Sequence, residues 1–400
     1  MLRHNYGAAL CFMVVINKKK KNKVFVAMSG GVDSSVAAAL LKERGFDVAG
    51  VFMKFWTAPI AAGENKCCSI EAYHDALAVA DKLGIKLYSF NFEKEFKKLV
   101  ADYFVKSLRR GETPNPCVVC NKEIKFKLLL EKISKLGGDY VATGHYARLR
   151  REFSIFNFSA RGGPASGWQF SNKNKNSKFQ TNNYKFLKAK DKNKDQSYFL
   201  WAVKQKQLAK FLFPVGDYQK EEVRKIAKDF GLPVFQKRDS EDLCFVGDHL
   251  SGFINEYVKP RAGNIIDVGG KILGRHKGLP FYTIGQRKDI GLAGGPWYVC
   301  KKDAKKNILT VINEKNKNLL FSKQAVIKNI NWINKPLRLP IEVMAKIRYQ
   351  HKPAKALLTK NNNGCIIKFQ KSQMAITPGQ SAVFYKGEEL LGGGVISQLK

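Results

Sequence analysis

The segment at 29–35 combines glycine, serine and aspartate in the pattern that points most directly to chemistry. Its sequence, SGGVDSS, follows the apolar run Lys23–Met28 and precedes a helical pattern that ends at Gly45. At such a strand-to-helix turn, backbone N–H groups and the helix dipole bind phosphate oxygens, and paired glycines let the backbone approach the anion closely. The segment has neither the Gly-Lys-Ser/Thr ending of a Walker A loop nor the spacing G-x-G-x-x-G. It therefore predicts a phosphate-binding loop of another kind.

Two further segments carry thiols. GETPNPCVVCN, at 111–121, contains Cys117 and Cys120 as a C-x-x-C pair, and DSEDLCF, at 239–245, contains Cys244 in an acidic turn. We expect a helix to begin near Lys122, which would place Cys120 close to a helix N-terminus, where the dipole favours the reactive thiolate. Each cysteine alone also fits a small buried residue. A zinc site would need a further ligand pair, and the sequence has no second C-x-x-C and no H-x-x-x-H.

The elements that must position these residues alternate along the first 150 residues. Apolar runs at 23–28, 47–53, 86–90 and 140–143 alternate with helical patterns at 36–44, 72–83, 93–110 and 122–136. A basic amphipathic helix is predicted at 221–230. Strands that alternate with helices of this length predict a parallel, doubly wound α/β sheet.

The second half of the chain has a different texture. Short Val- and Ile-rich segments occur at 263–273, 279–288, 308–312, 324–333, 342–349, 364–369 and 380–385. They predict one or two small β-barrels or sandwiches. Residues 150–184 have the polar composition of a solvated insertion between two strands, the second of which resumes at 186–189.

Charge and cysteine content limit the partners and the compartment. The 400 residues include 70 Lys+Arg and 33 Asp+Glu, a formal net charge of +37, which favours nucleic acid or an anionic membrane as the partner. No apolar run reaches the ~18–20 residues of a membrane-spanning helix, so we expect no membrane partner. Eight cysteines are too few for a disulfide scaffold and favour a reducing, cytoplasmic location. The short apolar stretch at 7–16 lacks the flanking features of a signal peptide, so residues 1–22 are interpreted as an extension.

Nine segments in one order carry a resemblance to a known family. They are SGGVDSS, VFMKFW, TPNPCVVCNKEIKF, ATGHYAR, KDQSYFL, SEDLCF, YTIGQRK, KIRYQ and TPGQSAV. The first resembles the pyrophosphate loop (PP-loop) of the ATP-pyrophosphatase superfamily. The whole series, from Lys23 to Ile396, resembles the tRNA-specific 2-thiouridylases, the MnmA/TrmU family. The resemblance implies a PP-loop catalytic domain at 23–250, a central β-rich domain at 251–320 and a tRNA-binding C-terminal β-barrel at 321–400.

The family resemblance also implies a reaction and residue roles. ATP, with Mg²⁺, would adenylate the C2 oxygen of the wobble uridine in a tRNA anticodon stem-loop, and sulfur would then replace that oxygen with release of AMP and pyrophosphate. A persulfide-donating carrier or a cysteine desulfurase would load Cys244, and Cys120 would act as the nucleophile with a transient disulfide between them. The implied ATP contacts are Ala27, Met28, Ser29, Gly30, Gly31, Val32, Asp33, Ser34, Met53 and Gly144. The implied tRNA contacts are Asn115, Pro116 and Cys117 at the target base, with His145, Lys194, Asp195, Gln196, Arg348, Tyr349 and Gln380 elsewhere.

Some family members carry an acid where this chain has Cys117, which puts an acid–base role there in doubt. Three thiols, Cys117, Cys120 and Cys244, could also hold an iron–sulfur cluster with one open corner, although no cluster or other protein-bound metal is expected. Two rival functions remain open, a PP-loop synthetase that forms a C–N bond and a catalytically silent RNA-binding protein. The thiols and the basic β-rich tail argue against the first, and the intact SGGVDSS loop argues against the second. We expect a monomer.

Overall fold

The computed structural model describes residues 21–61, 69–152, 183–239, 243–247, 249–334, 338–362 and 364–397. The predicted N-terminal extension, the Cys67-Cys68 pair and most of the polar insertion therefore lie outside the described residues. Within the described ranges, no helix is both long enough and apolar enough to cross a membrane.

The first part of the chain alternates strands and helices, as the apolar runs predict. In chain order these elements are β1 Lys23–Met28, α1 Val32–Glu43, β2 Asp47–Lys54, α2 Ile70–Leu83, β3 Leu87–Asn91, α3 Glu93–Phe96, α4 Asp102–Arg109, α5 Pro116–Val119, α6 Leu129–Lys135, β4 Tyr140–Thr143, β5 Ala147–Glu152, β6 Asn183–Lys188, α7 Gln205–Leu208, β7 Phe211–Leu212, α8 Lys220–Asp229 and α9 Leu250–Phe253. The described residues include three π-helical stretches. Lys97–Ala101 continues α3 into α4, Cys120–Leu128 continues α5 into α6, and Ile254–Val258 continues α9.

The first sheet has the strand order β3-β2-β1-β4-β7 with parallel pairing throughout, which confirms the doubly wound prediction. Residues 24–28 of β1 are buried on both faces, as the apolar run requires of a central strand. On one face Val24 and Val26 pack with residues of α1, α2 and α8. On the other face Phe25 packs in a cluster that contains Phe96 and Phe126.

The second part of the chain is built from β-strands. They are β8 Gly263–Ile266, β9 Ile272–His276, β10 Trp297–Asp303, β11 Ile308–Asn313, β12 Phe321–Trp332, β13 Ile341–Lys346, β14 Ala354–Asn361, β15 Gly364–Met374, β16 Ser381–Lys386 and β17 Glu389–Ser397. The predicted strand at 279–288 is wrong. That segment is a short 3-10 helix, Leu279–Phe281, followed by a turn in which the Gln286 N–H donates to the Thr283 carbonyl at 2.9 Å.

Two sheets organise these strands. Strands β10-β11-β8-β9 form the central β unit. Strands β12-β15-β14-β13-β16-β17 close on themselves through β12–β17 pairing and make the C-terminal barrel. The strands on either side of the polar insertion, β5 and β6, form a hairpin that continues this barrel sheet through Leu187 opposite Glu389. The described residues on either side of the insertion therefore belong to the barrel sheet.

Candidate active site

The glycine loop connects β1 to α1 in the conformation that its residues require. Gly30 has φ +70°, and a Cβ there would lie 2.3 Å from the Ala72 carbonyl oxygen in α2. Only glycine fits such a position, because the left-handed backbone and the close approach both exclude a side chain. Gly31 is the N-cap of α1 and has no side chain with which to cap the helix. The first-turn N–H groups of α1 are therefore not capped from that position, as a phosphate site requires.

Serine hydroxyls fix the shape of this loop. Ser34 Oγ and Ser35 Oγ donate to the Gly31 carbonyl at 3.1 and 2.8 Å. The Ser29 N–H in turn donates to Ser34 Oγ at 3.3 Å. Ser29 is exposed at the mouth of the loop, whereas Ser34 and Ser35 are buried. The serines at the helix start thus organise the loop from within, and Ser29 is accessible to a ligand.

The loop lies at the topological switch point of the sheet. The chain leaves β1 toward β2 on one side, and β4 lies on the other side of β1. Gly144 follows β4, and a Cβ there would lie 2.6 Å from the Ser34 backbone nitrogen. Met53, near the end of β2, belongs to the same carboxyl edge. In open α/β sheets the crevice at this edge is the usual ligand site, and the predicted ATP residues of β1, β2 and the β4 loop meet there.

A chain of charged side chains links the glycine loop to a distant part of the sequence. Lys220 Nζ, at the start of α8, lies 2.7 Å from Asp33 Oδ1 and 2.8 Å from Asp239 Oδ1. The Lys220 side chain is 9% exposed, so its ammonium group depends on these two carboxylates for hydrogen bonds. Asp33 belongs to the loop, and Asp239 lies five residues before Cys244.

Further residues complete this ion network. Asp239 also accepts from Lys194 Nζ at 2.7 Å and from Arg224 Nη2 at 2.9 Å. Partial burial opposes ionisation of Asp239, but the hydrogen bonds from Lys194 and Lys220 prevail and lower the pKa of this carboxyl. The Tyr146 hydroxyl donates to Asp33 Oδ1 at 2.8 Å. Burial and the neighbouring Asp33 charge raise the pKa of Tyr146, so its phenol remains a donor.

The structure changes the expected position of the two thiols near residue 120. The helix begins at Pro116 rather than near Lys122. Proline is favoured at the first helical position because its ring fixes φ at a helical value. The N–H that proline lacks would have no partner within the helix at that position. Cys117 therefore lies in the first turn and is exposed. Cys120 lies one turn further and is buried, 8% exposed. The expectation that Cys120 lies close to the helix N-terminus is wrong, because the thiol in the first turn is that of Cys117.

Cys244 lies in a turn anchored by the neighbouring aromatic residue. The ring of Phe245 is buried and lies 5.6 Å from both Phe96 and Phe104, centroid to centroid. The Phe245 carbonyl accepts from the Ala58 N–H at 3.1 Å, which ties the turn to the segment after β2. Cys244 itself is half-buried and packs against the same hydrophobic cluster that contains Cys120. In the described part of the chain, no three His, Cys, Asp or Glu side chains are grouped to hold a metal ion, the three thiols included.

The residues predicted to contact tRNA near KDQS have well-defined internal contacts. Asp195 is buried, and its carboxylate accepts from the Ala189 N–H at 3.1 Å and from Ser197 Oγ at 3.0 Å. Gln196 Oε1 accepts from the Tyr146 N–H at 3.0 Å, which helps to hold Tyr146 against the glycine loop. His145 Nδ1 lies 2.9 Å from Thr143 Oγ1, and burial together with Lys125 lowers the pKa of His145.

The predicted tRNA contacts of the C-terminal unit lie where this unit meets the α/β unit and the central unit. Arg348 Nη2 donates to the Ile284 carbonyl at 3.0 Å and to Thr377 Oγ1 at 2.9 Å. Gln380 Nε2 donates to the Thr113 carbonyl at 3.0 Å, and Tyr349 packs on Phe199 with ring centroids 4.6 Å apart. Arg348 and Gln380 are therefore bridging residues between units, whatever further contacts they make.

Sequence reasoning missed the residues that join the motifs. The ion network is carried by Lys220, Tyr146, Asp239 and Arg224, and the residue patterns around them predict a site role for none of the four. Lys220 and Arg224 are four residues apart on one helix face, and this spacing was the available signal. The partner of Lys220 in the glycine loop, Asp33, is 187 residues away, and no local pattern predicts this pairing.

Comparison with known proteins agrees with this geometry. Residues 22–248 match a family model described as the tRNA methyl transferase HUP domain, 251–313 its PRC-barrel domain and 322–396 an aminomethyltransferase beta-barrel domain. A solved structure, NMN synthetase from Francisella tularensis, is 14% identical with a TM-score of 0.32, covers 55% of this chain and 66% of its own, and supports no conclusion about this chain.

Full-length relatives are considerably more similar. A tRNA-specific 2-thiouridylase MnmA of Clostridium perfringens is 44% identical over 95% of this chain and 99% of its own length. The proteins of the same name from Alkaliphilus oremlandii and Stutzerimonas stutzeri are 41% and 42% identical over 95% and 96% of this chain, and 98% and 97% of their own.

The parallel sheet with its glycine loop, the central unit and the closed barrel define a PP-loop α/β protein with two β-rich units. At 44% identity over nearly the whole length, the chain belongs to the tRNA-specific 2-thiouridylase MnmA family.

Proposed function

We propose that this chain is an ATP-dependent tRNA sulfurtransferase that replaces the C2 oxygen of the wobble uridine by sulfur. The observation that carries the proposal is the Gly30-Gly31 loop at the switch point, next to Gly144 and at the N-terminus of the long helix α1. That arrangement suits the phosphates of a nucleotide. The names of the full-length relatives support the same reaction class.

The C2 oxygen of uridine is a poor leaving group, and adenylation is the step that makes it leave. The uridine oxygen attacks the α-phosphorus of ATP, and pyrophosphate departs. Ala27, Met28, Met53 and the loop residues 29–34 would bind the nucleotide, with its phosphates at the start of α1. Mg²⁺ would enter with ATP and be held largely by phosphate oxygens, because the described residues offer no three-ligand group for a metal.

Sulfur transfer then uses two thiols. The terminal sulfur of a Cys244 persulfide attacks C2, and AMP leaves with the uridine oxygen. Cys120 attacks Sγ of Cys244, which releases 2-thiouridine and leaves a Cys120–Cys244 disulfide; the two thiols supply the two electrons that the persulfide sulfur gains. An external thiol reductant and a persulfide donor, either a sulfur carrier or a cysteine desulfurase, complete the cycle.

The tRNA would dock through its phosphates on a chain with net charge +37, with the target uridine near Asn115, Pro116 and Cys117. Cys117 is the exposed member of the three. Contacts from His145, Lys194, Asp195, Gln196, Arg348, Tyr349 and Gln380 remain part of this proposal. The affinity for tRNA should fall by about 10³-fold between ~50 and ~200 mM salt if six or more phosphates are contacted. A flat salt response would contradict docking of this kind. We propose a cytoplasmic monomer.

An oxygen-tracing experiment tests the adenylation step. Unmodified tRNA is transcribed with heavy oxygen at C2 of uridine and incubated with the protein, Mg-ATP and a persulfide donor. The proposal predicts that the AMP formed gains the heavy oxygen. Heavy oxygen in water instead of AMP would rule out adenylation. The mass of the product nucleoside also separates replacement of oxygen by sulfur from addition of a methyl group, the reaction that the family-model description names.

A further inference from the structure

Lys220 has no role in the nucleotide binding or the thiol chemistry proposed above. Its two ion pairs nevertheless connect the nucleotide loop to the segment before Cys244. Lys220 contributes one ammonium group to two carboxylates that belong to different functional segments, Asp33 at 2.7 Å and Asp239 at 2.8 Å. The side chain of Lys220 is 9% exposed, against 31% for Asp33 and 22% for Asp239. The lysine is therefore the buried centre of the network.

Both carboxylates have secondary partners that fix their direction. Asp33 accepts from the Tyr146 hydroxyl at 2.8 Å, and Asp239 accepts from Lys194 and Arg224 at 2.7 and 2.9 Å. The backbone at Lys220 is held as well, because its N–H donates to Asp191 Oδ2 at 3.0 Å. Lys220 cannot shift without breaking contacts on both sides.

We propose that Lys220 is a positioning residue that sets the distance between the nucleotide loop and the segment that carries Cys244. This inference rests on the proposed function, because the distance matters for catalysis only if a persulfide on Cys244 must reach a uridine that is adenylated at the nucleotide loop. Asp239 precedes Cys244 by five residues, and Phe245 anchors the turn from the other side. Loss of the ammonium group leaves Asp239 with Lys194 and Arg224 and leaves Asp33 with the Tyr146 hydroxyl, so the two segments lose the cation that joins them.

The test uses four variants of the full chain. Lys220→Met removes the shared cation, and Asp239→Asn releases the Cys244 segment while it leaves the Asp33–Lys220 pair in place. The double variant combines them. Lys190→Met is the matched control, because Lys190 pairs with Glu222 on the same helix α8 but in an exposed position, and it does not touch Asp33 or Asp239.

The first readout does not depend on activity. The reduced protein is treated with iodoacetamide, and the alkylation rate of Cys244 is followed by peptide mass spectrometry. We expect a rise of about tenfold in Lys220→Met and in Asp239→Asn, no further rise in the double variant and no change in Lys190→Met. Cys365 serves as the internal reference, because it is fully buried and burial raises its pKa to about 11. Wild-type rates in both single variants, or additive effects in the double variant, would overturn the proposal.

The second readout separates positioning from general destabilisation. In Lys220→Met and Asp239→Asn we expect the ratio of pyrophosphate released to 2-thiouridine formed to rise about tenfold. Adenylation proceeds in these variants, but the persulfide sulfur is misplaced relative to C2 of the uridine. A parallel fall of both products at an unchanged ratio would overturn the positioning role. A raised KM for ATP in Lys220→Met with unchanged alkylation would also overturn it and make Lys220 a phosphate ligand. If the wild type forms no 2-thiouridine, the proposed function fails, and the alkylation rates still decide the link.

Discussion

Gln380 Nε2 donates a hydrogen bond to the Thr113 carbonyl at 3.0 Å, and this contact joins the C-terminal barrel to the proline-rich loop before Cys117 and Cys120. The Thr113 N–H returns a bond to the Pro378 carbonyl at 2.9 Å. The barrel therefore takes part in holding the loop that leads to both thiols. A change in the barrel can reach the candidate active site through this contact.

Gly379 offers a sharp test of that junction. It has φ +91°, and a Cβ there would lie 2.9 Å from the Thr113 carbonyl oxygen. We expect Gly379→Ala to lower the free energy of unfolding by about 1–3 kcal/mol and to reduce sulfur transfer, because the loop must move away. Gly387→Ala is the control, since Gly387 has φ +59° but open space around its Cβ. Equal effects of the two substitutions on melting and on activity would mean that the close approach is unimportant.

Arg348 is expected to act on stability through the same junction. Its guanidinium donates to the carbonyls of Ile284 and Ala375 and to Thr377 Oγ1, and thus joins the central unit to the barrel. Arg348→Met should reduce stability by about 1.5–3 kcal/mol, the usual scale for hydrogen bonds from a charged donor. Arg287→Met, at an exposed position in the central unit, is the control. Calorimetry measures both, and an unchanged melting temperature in Arg348→Met together with weaker tRNA binding would show that the arginine serves the RNA alone.

The thiols should separate chemistry from binding. We expect Cys120→Ser and Cys244→Ser each to reduce 2-thiouridine formation by about 10³-fold or more, as removal of one member of a catalytic pair does. Affinity for tRNA, measured by filter binding, should stay within about threefold of wild type. Cys300→Ser, in β10, is the control and should retain activity. Loss of tRNA binding in step with activity would make the two thiols structural.

His276 predicts a pH dependence of stability. Its Nδ1 accepts from the Gly278 N–H at 3.0 Å, its Nε2 lies 3.1 Å from the Asn307 carbonyl, and burial lowers its pKa. As the pH falls through about 6.5, the unfolded chain binds a proton that the folded chain does not, so stability falls by up to about 1.4 kcal/mol per pH unit until the folded pKa is reached.

Glutamine can keep both hydrogen bonds of His276 without titrating. The melting temperature of His276→Gln should therefore fall less between pH 7.5 and pH 5.5, conditions chosen to bracket the window of about 6.5 and below. His145 and His351, whose pKa values are also lowered, remain in both proteins. The difference between wild type and variant in the slope of melting temperature against pH is therefore due to His276. Identical slopes for wild type and variant would contradict the prediction.

Local patterns predicted the elements because burial decides them. The strands at 23–28 and 140–143 appear with those bounds, since apolar runs between polar or glycine residues fit a central parallel strand. The helix expected near Lys122 begins at Pro116, because proline is favoured at the first helical position. The segment 279–288 is apolar without being a strand, because Gly278, Pro280 and the Thr283–Gln286 turn break the ladder.

The candidate site was predictable only where one segment carries it. The glycine loop is local, and its residues alone indicate a phosphate site. The Asp33–Lys220–Asp239 chain brings together three distant segments, and only the sheet topology determines that they meet. The tie between Gln380 and Thr113 spans 267 positions and has the same character. Such long-range polar pairs form only when the units pack together. No local sequence pattern predicts that packing.

The central claim is best tested by mass spectrometry of nucleosides from unmodified tRNA after incubation with the protein, Mg-ATP and a persulfide donor. We predict 2-thiouridine that depends on ATP and is absent with Cys244→Ser. Absence of 2-thiouridine from wild-type reactions in which the tRNA is bound and ATP is present would contradict the account and favour a catalytically silent RNA-binding protein.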